Sequence, residues 1–339
     1  MMRAALIGLG VIGRVHIAAI ESLQNAVLAA VCDTDPSKES LVPAGTVFYT
    51  DYREMLGWEK PDVVHICLPH FLHYPAAKTA AEAGCHIFAE KPLALNGEEA
   101  AEFVKLEDRY GVKICLCLQN RLNPTTETLC RLLRSGDYGP LTGIRGSVAW
   151  YRSREYYQAG PWRGIMAQAG GGCMINQAIH TIDLMQYLAG SPVVRVRGST
   201  AQILDYGLEV EDTAAGHFTF ANGAAGFFTA SVANYTDENV EISLRCEGGE
   251  FLLRDKKLFR VRGEEHELLA ADAAEFSGKA VYGNSHVKLI DRFYRVLENG
   301  GGWYIHPGEG LPSLMMIDAI RESARTGKTI CINGGHEHG

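Results

Sequence analysis

The stretch GGGCMINQAIHTID, residues 170–183, carries the side chains best suited to proton transfer. In a helix that begins at Cys173, three polar residues would share one stripe of the surface at spacings i, i+4 and i+7: Asn176, His180 and Asp183. Histidine titrates near neutrality, so His180 is a candidate general acid or base. A histidine beside buried isoleucines is also often a satisfied core residue, and the choice depends on what else the chain binds.

Three glycines, residues 170–172, precede this helix. Glycine lets the backbone approach other atoms closely, so the run predicts a free helix start near a ligand. Asn176 can form hydrogen bonds but cannot titrate. Asp183 is expected either to orient His180 or to hold the helix to a neighbouring loop.

The first residues carry the pattern of a dinucleotide-binding turn. Gly8, Gly10 and Gly13 form G-x-G-x-x-G between a buried strand and a helical apolar period. In that setting the first glycine permits the tight turn, the second lets the backbone approach a pyrophosphate, and the third lets the helix pack on the strand. The next strand ends on Asp33, which would bind the adenosine ribose and repel a 2′-phosphate. NAD is therefore favoured, and NADP is not excluded because Lys38 could neutralise a phosphate.

Strands and helices alternate strictly through residues 1–122. This alternation predicts an α/β Rossmann domain with a doubly wound parallel sheet. Ligands of such sheets bind beyond the carboxyl ends of the strands. Two segments occupy such ends, LPHFLH at 68–73 and EKP at 90–92.

Residues 123–339 follow a different pattern and form the second predicted domain. Several segments alternate between apolar and polar residues with a period of two, joined by turn sequences such as ANG and EGG. They predict an α+β domain with a large, mostly antiparallel open sheet and a helix over 173–189 laid against it. An open sheet face needs cover, so a homodimer or homotetramer through this sheet is expected.

Composition limits the possible partners. With 339 residues the chain suits two domains, and its 47% hydrophobic and 21% charged residues are typical of a soluble globular protein. The net charge of −8 disfavours nucleic acid and anionic membranes, which reward a basic surface. No apolar run approaches the length of a membrane span.

The cysteines predict a reducing environment. Most of the nine lie inside strand-like runs, where they resemble small buried apolar residues, and the cytoplasm is the expected location. No four-ligand zinc spacing occurs. His65, His70, His73 and His86 cluster in sequence without a complete ligand set, so no metal is predicted.

Together these segments resemble the Gfo/Idh/MocA oxidoreductases, the glucose–fructose oxidoreductase and inositol dehydrogenase family. The matching pieces occur in the family's order over almost the whole chain: GLGVIGRVH (8–16), CD (32–33), Pro69 with His73, AGCHIFAEKPLA (83–94), QNR (119–121), PWRG (161–164), GGGCMINQAIHTID (170–183), EVEDTA (209–214) and YGNSH (282–286).

The resemblance implies a nicotinamide-dependent dehydrogenase or reductase that acts on a small polyhydroxylated substrate: the secondary alcohol or ketone of a sugar, a cyclitol or a derivative. It implies that Lys91 is a catalytic-site lysine near the nicotinamide and that His180 is the acid/base. With the glycine turn, the expected cofactor-binding residues are Gly8, Gly10, Val11, Ile12, Gly13, Asp33, Leu68, Pro69, His70, His73, Glu90 and Lys91. Dimers or tetramers are usual in the family.

The chain departs from the family pattern at two places. Family members commonly carry aspartate where this chain has Asn176, and their T-P-N-x-x-H segment is here Leu68-Pro69-His70-x-x-His73. The asparagine leaves two arrangements open. His180 acts alone while Asn176 fixes the substrate or the tautomer, or Lys91 takes a larger share of proton transfer.

Alcohol oxidation requires a base for the hydroxyl proton, and positive charge that stabilises alkoxide character lowers the barrier. Lys91, at a strand end beside Pro92, suits the second role, although many such lysines are solvated surface charges. The expected substrate-binding residues are Arg121, Trp162, Arg163, Asn176 and His180. The aromatic and arginine-rich segment 150–164 fits sugar binding and surface packing equally well.

Two other functions suit the same fold. One is a glycosidase that uses transient oxidation by tightly held NAD. The other is a non-catalytic NAD-binding regulatory protein, against which Lys91 and His180 argue.

Overall fold

The computed structural model describes residues 1–272 and 285–332, so residues 282–284 of the YGNSH motif lie outside the described residues. The strands, numbered in chain order, are β1 (Met2–Ile7), β2 (Ala26–Cys32), β3 (Val47–Tyr49), β4 (Val63–Ile66), β5 (His86–Ala89), β6 (Ile114–Leu116), β7 (Leu141–Ala149), β8 (Val193–Ala201), β9 (Thr213–Phe220), β10 (Ala225–Ser231), β11 (Glu241–Cys246), β12 (Gly249–Arg254), β13 (Lys257–Arg262), β14 (Glu265–Ala271) and β15 (Ile330–Cys331). The α-helices are α1 (Val11–Ser22), α2 (Tyr52–Glu59), α3 (His73–Glu82), α4 (Gly97–Tyr110), α5 (Pro124–Arg134), α6 (Arg154–Gln158), α7 (Met166–Ala169), α8 (Cys173–Asn176), α9 (Ile179–Ala189), α10 (Ser285–Asn299) and α11 (Leu311–Thr326). Within the two described ranges, no helix combines the length and the hydrophobicity of a membrane span.

The first six strands form one sheet in the order β3-β2-β1-β4-β5-β6, and every neighbouring pair is parallel. β1 and β4 are fully buried over most of their length, for example at Leu6 and Val64. Such continuous apolar strands are typical of a parallel sheet that is covered by helices on both faces. Helices α1 and α2 lie against β2, and α3 lies against β4 and β5. The predicted doubly wound Rossmann sheet is confirmed.

The strand order reverses between β1 and β4, since the chain fills one side of β1 before it crosses to the other. Ligands of open α/β sheets bind at such a switch point, beyond the carboxyl ends of the strands. Gly8 directly follows β1, Leu68 follows β4, and Lys91 follows β5. The parallel sheet therefore brings these predicted site residues to one edge.

Strands β7 to β15 form a nine-stranded sheet in the order β14-β13-β12-β11-β7-β10-β9-β8-β15. Its pairs are antiparallel except for β7 with β10. Glycines let helices approach one face: a side chain at Gly146 would collide with Met185 of α9, and one at Gly198 with Ile320 of α11. The predicted, mostly antiparallel sheet is confirmed.

The chain divides into two compact units. The first comprises Met1–Gln119 with the described part of Glu275–Leu311, and the second comprises the described parts of Asn120–Ala274 and Pro312–Gly339. The sequence-based boundary between 122 and 123 assigned α10 to the second domain, whereas α10 lies beside α1 in the first unit. Periodicity reveals that a helix has an apolar face, here including Leu289 and Phe293, but not which sheet covers that face.

The prediction of one helix over 173–189 is wrong, because the chain forms α8 and α9 with a break between them. At the break, the Ala178 N–H donates to the Cys173 carbonyl, five residues back, at 2.9 Å. The three polar residues consequently differ in environment. Asp183 is buried, whereas Asn176 and His180 are half-buried.

The nine cysteines are free thiols, and Cys331 in β15 is the one that is exposed. Burial raises the pKa of the Cys67, Cys115 and Cys117 thiols well above their ordinary value, which keeps them protonated. These cysteines serve as small apolar core residues, as the sequence predicts.

Candidate active site

The glycine turn after β1 is shaped by packing at two of its three glycines. Gly8 has a φ of 98°, and a β-carbon there would overlap the carbonyl oxygen of Cys67. A β-carbon at Gly13 would overlap the carbonyl oxygen of Gly8. At Gly10, by contrast, no atom lies within 4 Å of that position. The open space over Gly10 at the start of α1 fits the pyrophosphate of a dinucleotide.

Asp33 closes the same turn from the end of β2. Its carboxylate accepts hydrogen bonds from the Leu9 N–H at 2.8 Å and from the Asp35 N–H at 3.0 Å. Lys38 also pairs with it, at 2.8 Å between Nζ and Oδ2. The acid therefore stands at the predicted place beside the turn, with a lysine as its immediate neighbour.

We expect Gly13→Ala to lower the free energy of unfolding by about 3 kcal/mol, because the added methyl group forces the turn and α1 apart. Urea unfolding measures this loss, and NAD affinity should fall with it. Gly57→Ala is the matched control. That glycine lies in α2 with open space around its β-carbon position, so alanine should stabilise the helix by roughly 0.5–1 kcal/mol. Equal effects at the two positions would contradict the packing role of Gly13.

His73 cross-links two strand-end segments instead of reaching outward. Its Nδ1 lies 2.7 Å from the carbonyl oxygen of Pro92, and its Nε2 lies 2.8 Å from that of Leu68. The ring is buried. Both nitrogens therefore face backbone oxygens, and the cofactor-binding role of His73 stays a prediction. Burial lowers the pKa of His73, although both carbonyl groups act in the opposite direction.

The EKP segment presents two neighbouring side chains in different environments. Lys91 is half-buried, and Glu90 is buried. Burial lowers the pKa of the Lys91 ammonium, while the negative charge of Glu90 acts to raise it. The Glu90 carboxylate lies 3.1 Å from Nε2 of His16 and accepts the Lys91 N–H at 3.2 Å. It is thus engaged by protein groups, and its contact with the cofactor stays a prediction.

Other expected cofactor residues lie along the same edge. Val11 is exposed, Ile12 and Leu68 are half-buried, and His70 is buried. Pro69, also half-buried, precedes the short 3₁₀ helix that holds His70.

Two glycines before α8 are required because protein atoms occupy the space that a side chain would need. A β-carbon at Gly171 would overlap the guanidinium of Arg321, and one at Gly172 would overlap the carbonyl oxygen of Glu211. Glu211 also accepts the N–H groups of Cys173 (2.9 Å, by its carbonyl oxygen) and Met174 (3.4 Å, by its carboxylate). The predicted free helix start is therefore wrong, because Glu211 takes up its first amide groups.

Arg121 forms a buried ion pair with Asp183. Nε and Nη2 of the arginine donate to the two carboxylate oxygens at 2.9 and 2.6 Å, and the side chains are 2% and 1% exposed. The ring of Tyr187 lies 4.6 Å from the guanidinium. This bidentate pair occupies Nε and Nη2 of Arg121, and its expected substrate-binding role stays a prediction. It favours the alternative in which Asp183 holds its helix to a neighbouring segment.

Two of the three arginines of segment 150–164, Arg152 and Arg163, stack on aromatic rings of that same segment, whereas Arg154 stacks on Tyr206. The Arg163 guanidinium lies 4.5 Å from the ring of Tyr156 and 5.4 Å from that of Trp162, and it donates to the Tyr156 carbonyl at 3.0 Å. Trp162 and Arg163 are half-buried. Packing within the segment thus explains part of its aromatic and arginine content. Trp162 and Arg163 are still partly exposed to solvent.

The catalytic candidates divide between the two units. Lys91 belongs to the first, and Asn176 and His180 belong to the second. Asn176 ends α8, and His180 lies in the first turn of α9.

Family comparisons decide the class of the protein. A model of the oxidoreductase family with an NAD-binding Rossmann fold matches residues 2–117, and a model of the GFO/IDH/MocA C-terminal domain matches residues 126–252. The chain belongs to the Gfo/Idh/MocA oxidoreductase family. The predicted family, oxidoreductase class and NAD-binding domain are confirmed.

Relatives of this Gfo/Idh/MocA protein match along most of their length. D-Glucoside 3-dehydrogenase of Escherichia coli K12 is 25% identical, with 97% of each chain covered. Levoglucosan dehydrogenase of Pseudarthrobacter phenanthrenivorans is 26% identical, with 81% of each chain covered. The WlbA dehydrogenase of Chromobacterium violaceum, solved with NADH and UDP-GlcNAcA, is 28% identical with a TM-score of 0.87, covering 99% of this chain and 97% of that one.

The first unit of this Gfo/Idh/MocA protein also holds a polar network that sequence reasoning missed. His16 in α1 lies 2.9 Å from His65 in β4 (Nδ1 to Nδ1), and His65 Nε2 lies 2.9 Å from the Tyr294 hydroxyl in α10. His286 of α10 lies 3.5 Å from Glu90. The available signal was a histidine within each of two apolar runs, VHI and VVHI, which predicts a buried polar partner but not its identity.

Acidification should destabilise the protein through these histidines. Burial lowers the pKa of His16, His65 and His73 below the ordinary 6.5. Below that pH the unfolded chain binds protons that the folded chain refuses, so the free energy of unfolding falls, by about 1.4 kcal/mol per pH unit for each histidine. Urea unfolding at pH 7.5, 6.5 and 5.5 measures the slope. His65→Asn should give a shallower slope, and constant stability across this range would contradict the expectation.

Proposed function

We propose that this chain is an NAD-dependent dehydrogenase or reductase that acts on the secondary alcohol or ketone of a sugar, a cyclitol or a derivative. One observation carries the proposal: the edge of the parallel sheet combines the glycine turn, open over Gly10, with a half-buried lysine just beyond β5. The turn would bind the pyrophosphate of a dinucleotide, and Lys91 would place a positive charge near a reacting oxygen.

The residues that would hold the cofactor are those of the turn from Gly8 to Gly13, together with Asp33 at the end of β2. When bound, NAD supplies the acceptor of a hydride, and its reduced form supplies the donor. Asp33 would accept hydrogen bonds from ribose hydroxyl groups and repel a 2′-phosphate, which supports NAD over NADP. Lys38, paired with Asp33 at 2.8 Å, moderates this preference without removing the carboxylate.

Two residues are candidates for proton transfer, His180 and Lys91. In the first arrangement, His180 takes or returns the hydroxyl proton while Asn176 holds the substrate or fixes the tautomer. In the second, Lys91 takes a larger share of this transfer, which agrees with the lowering of its pKa by burial. In both, Lys91 would supply positive charge to the reacting oxygen.

Three relatives support a carbohydrate-derived substrate. They are named for D-glucoside and levoglucosan oxidation, or were solved with a UDP-linked sugar acid. The half-buried Trp162 and Arg163 suit such a substrate, since an aromatic ring packs on a sugar face and a guanidinium binds hydroxyl or carboxylate oxygens. We also propose a homodimer or homotetramer through the nine-stranded sheet, and a cytoplasmic location.

A substrate screen tests the proposal. Purified protein is mixed with NAD or NADP and with sugars, glycosides, sugar acids, nucleotide sugars and cyclitols, and the absorbance of the reduced nicotinamide is followed. We expect turnover with NAD on at least one of these classes. Glycoside cleavage without net NADH, by protein whose NAD survives dialysis, would support the glycosidase instead. NAD binding without turnover on any class would support a regulatory protein.

A further inference from the structure

Glu90 and Lys91 are adjacent residues with opposite surroundings. Glu90 is 5% exposed, and its carboxylate faces His16 and His286. The Lys91 side chain, by contrast, is half-buried. A buried carboxylate needs hydrogen-bond donors or a cation, since burial without them costs several kcal/mol. The donors of Glu90 can be named.

Three groups hold the Glu90 carboxylate within the first unit. Oε1 lies 3.1 Å from His16 Nε2 and 3.5 Å from His286 Nε2. Oε2 accepts the backbone N–H of Lys91 at 3.2 Å. The carboxylate is thus fixed from α1, from α10 and from the segment that bears the lysine.

A chain of hydrogen bonds continues behind His16. In one consistent arrangement the Tyr294 hydroxyl donates to Nε2 of His65, His65 Nδ1–H donates to Nδ1 of His16, and His16 Nε2–H donates to Glu90. Every donor then points toward the carboxylate, and both histidines are neutral. Burial lowers the pKa of His16 and of His65, in agreement with neutral rings.

We propose that Glu90 is a positioning residue for the oxidoreductase reaction: held by His16 and His286, its carboxylate fixes the backbone N–H of Lys91 and favours the charged form of the Lys91 side chain. The inference rests on the proposed function for its catalytic meaning. The charge relation between the two residues can be tested without it.

Several titratable groups lie around Glu90 and Lys91, and their protonation states determine which of them places a negative charge near the lysine. They come from each element packed there, and they are His16, His65, Cys67, His73, Cys117, His286 and Tyr294. Burial raises the pKa of both thiols well above the ordinary value, so they are neutral. Burial also acts to raise the pKa of Glu90, but hydrogen bonds from His16 and His286 outweigh it and hold that pKa well below the ordinary value. Among these groups Glu90 supplies the negative charge at neutral pH.

Removal of that charge should change the titration of Lys91. Burial lowers the pKa of the ammonium, and Glu90 opposes this effect. Glu90→Gln keeps the shape and one acceptor oxygen, but it removes the opposing charge and replaces the other oxygen with an amide donor. The titration midpoint of Lys91 should fall by roughly one pH unit.

The first experiment needs neither cofactor nor substrate. The apo-protein is acetylated briefly with acetic anhydride over a range of pH, and mass spectrometry of the peptide that contains Lys91 gives the midpoint. Glu90→Gln should shift it to lower pH. Glu90→Asp, which keeps the charge but withdraws it by one methylene, should fall between Gln and wild type. Glu107→Gln is the matched control: Glu107 is a carboxylate of the same unit that accepts from Ile114, Tyr304 and His306, and its loss should leave the midpoint unchanged.

Two results would overturn the inference. One is an unshifted Lys91 midpoint in folded Glu90→Gln or, if that variant does not fold, a midpoint in Glu90→Asp equal to or above that of wild type. The other is a metal content near one ion per chain in the purified protein, because His16, Glu90, Cys117 and His286 present ligand atoms within 4.8 Å of one another and a bound cation would replace the hydrogen bonds described here.

The pH profile of kcat/KM then assigns the role of Lys91. If Lys91 acts as an ammonium, Glu90→Gln moves the alkaline limb to lower pH. If Lys91 acts as a base, the acidic limb moves to lower pH instead. Both outcomes support Glu90 as a positioning residue, and a profile with neither limb moved would reject it. Wild-type protein without turnover on any substrate would reject the proposed function, whereas an unshifted acetylation midpoint rejects this inference alone.

Discussion

Replacement of Lys91 by alanine is expected to lower kcat by about 10²–10³-fold, since the variant loses the positive charge that stabilises alkoxide character. The dissociation constant for NAD should change little, because we propose that the turn from Gly8 to Gly13 and Asp33 make most of the cofactor contacts. Steady-state rates on the best substrate of the screen measure the first quantity, and protein fluorescence during NAD titration measures the second.

Two further variants test whether the loss of rate comes from the charge of Lys91. Lys91→Arg should recover part of the rate if charge is what matters, and little if Lys91 must lose its proton, since arginine stays protonated. Lys105→Ala removes an exposed lysine that pairs with Glu102 on α4, and it should leave both constants unchanged. Wild-type kcat in Lys91→Ala would reject the role proposed for the lysine.

Replacement of Asp183 by asparagine should lower the free energy of unfolding by about 3–5 kcal/mol, because it leaves the Arg121 guanidinium buried without its counter-charge. The double variant Arg121→Met with Asp183→Leu should lose less than the sum of the single variants Arg121→Met and Asp183→Leu. Urea unfolding of wild type, these two single variants and the double variant completes the cycle.

Asp183→Asn also distinguishes the two roles proposed for Asp183, which are anchoring α9 and orienting His180. If it only anchors α9, folded Asp183→Asn at low temperature keeps its kcat. If it also orients His180, kcat falls in protein that is still fully folded. Glu322→Gln is the control in the same unit, because its partner Arg325 is exposed and loss of that pair should cost under about 1 kcal/mol.

Local patterns were sufficient to predict the parts of the fold that depend on neighbouring residues. The spacing of Gly8, Gly10 and Gly13, with a strand before and a helix after, identified the turn. The structure then divides the three roles: Gly8 and Gly13 are fixed by protein atoms, and Gly10 faces open space. The period-two segments similarly predicted the second sheet.

Those local patterns do not predict contacts between segments that are distant in the sequence. Arg121 and Asp183 are 62 residues apart, and His65 and Tyr294 are 229 residues apart. A buried polar residue implies a partner, but spacing in the sequence does not identify it. For this reason the sequence predicts ligand contacts for Arg121 and Glu90 but not the protein groups that both residues also engage.

The distribution of thiols makes one position addressable by chemistry. Because Cys331 is the one exposed cysteine of the nine, a maleimide dye added to native protein would attach at a single point, on the strand at the border of the larger sheet. No cysteine would have to be removed by mutagenesis first. Energy transfer between donor-labelled and acceptor-labelled chains would then report association in solution and the rate at which subunits exchange.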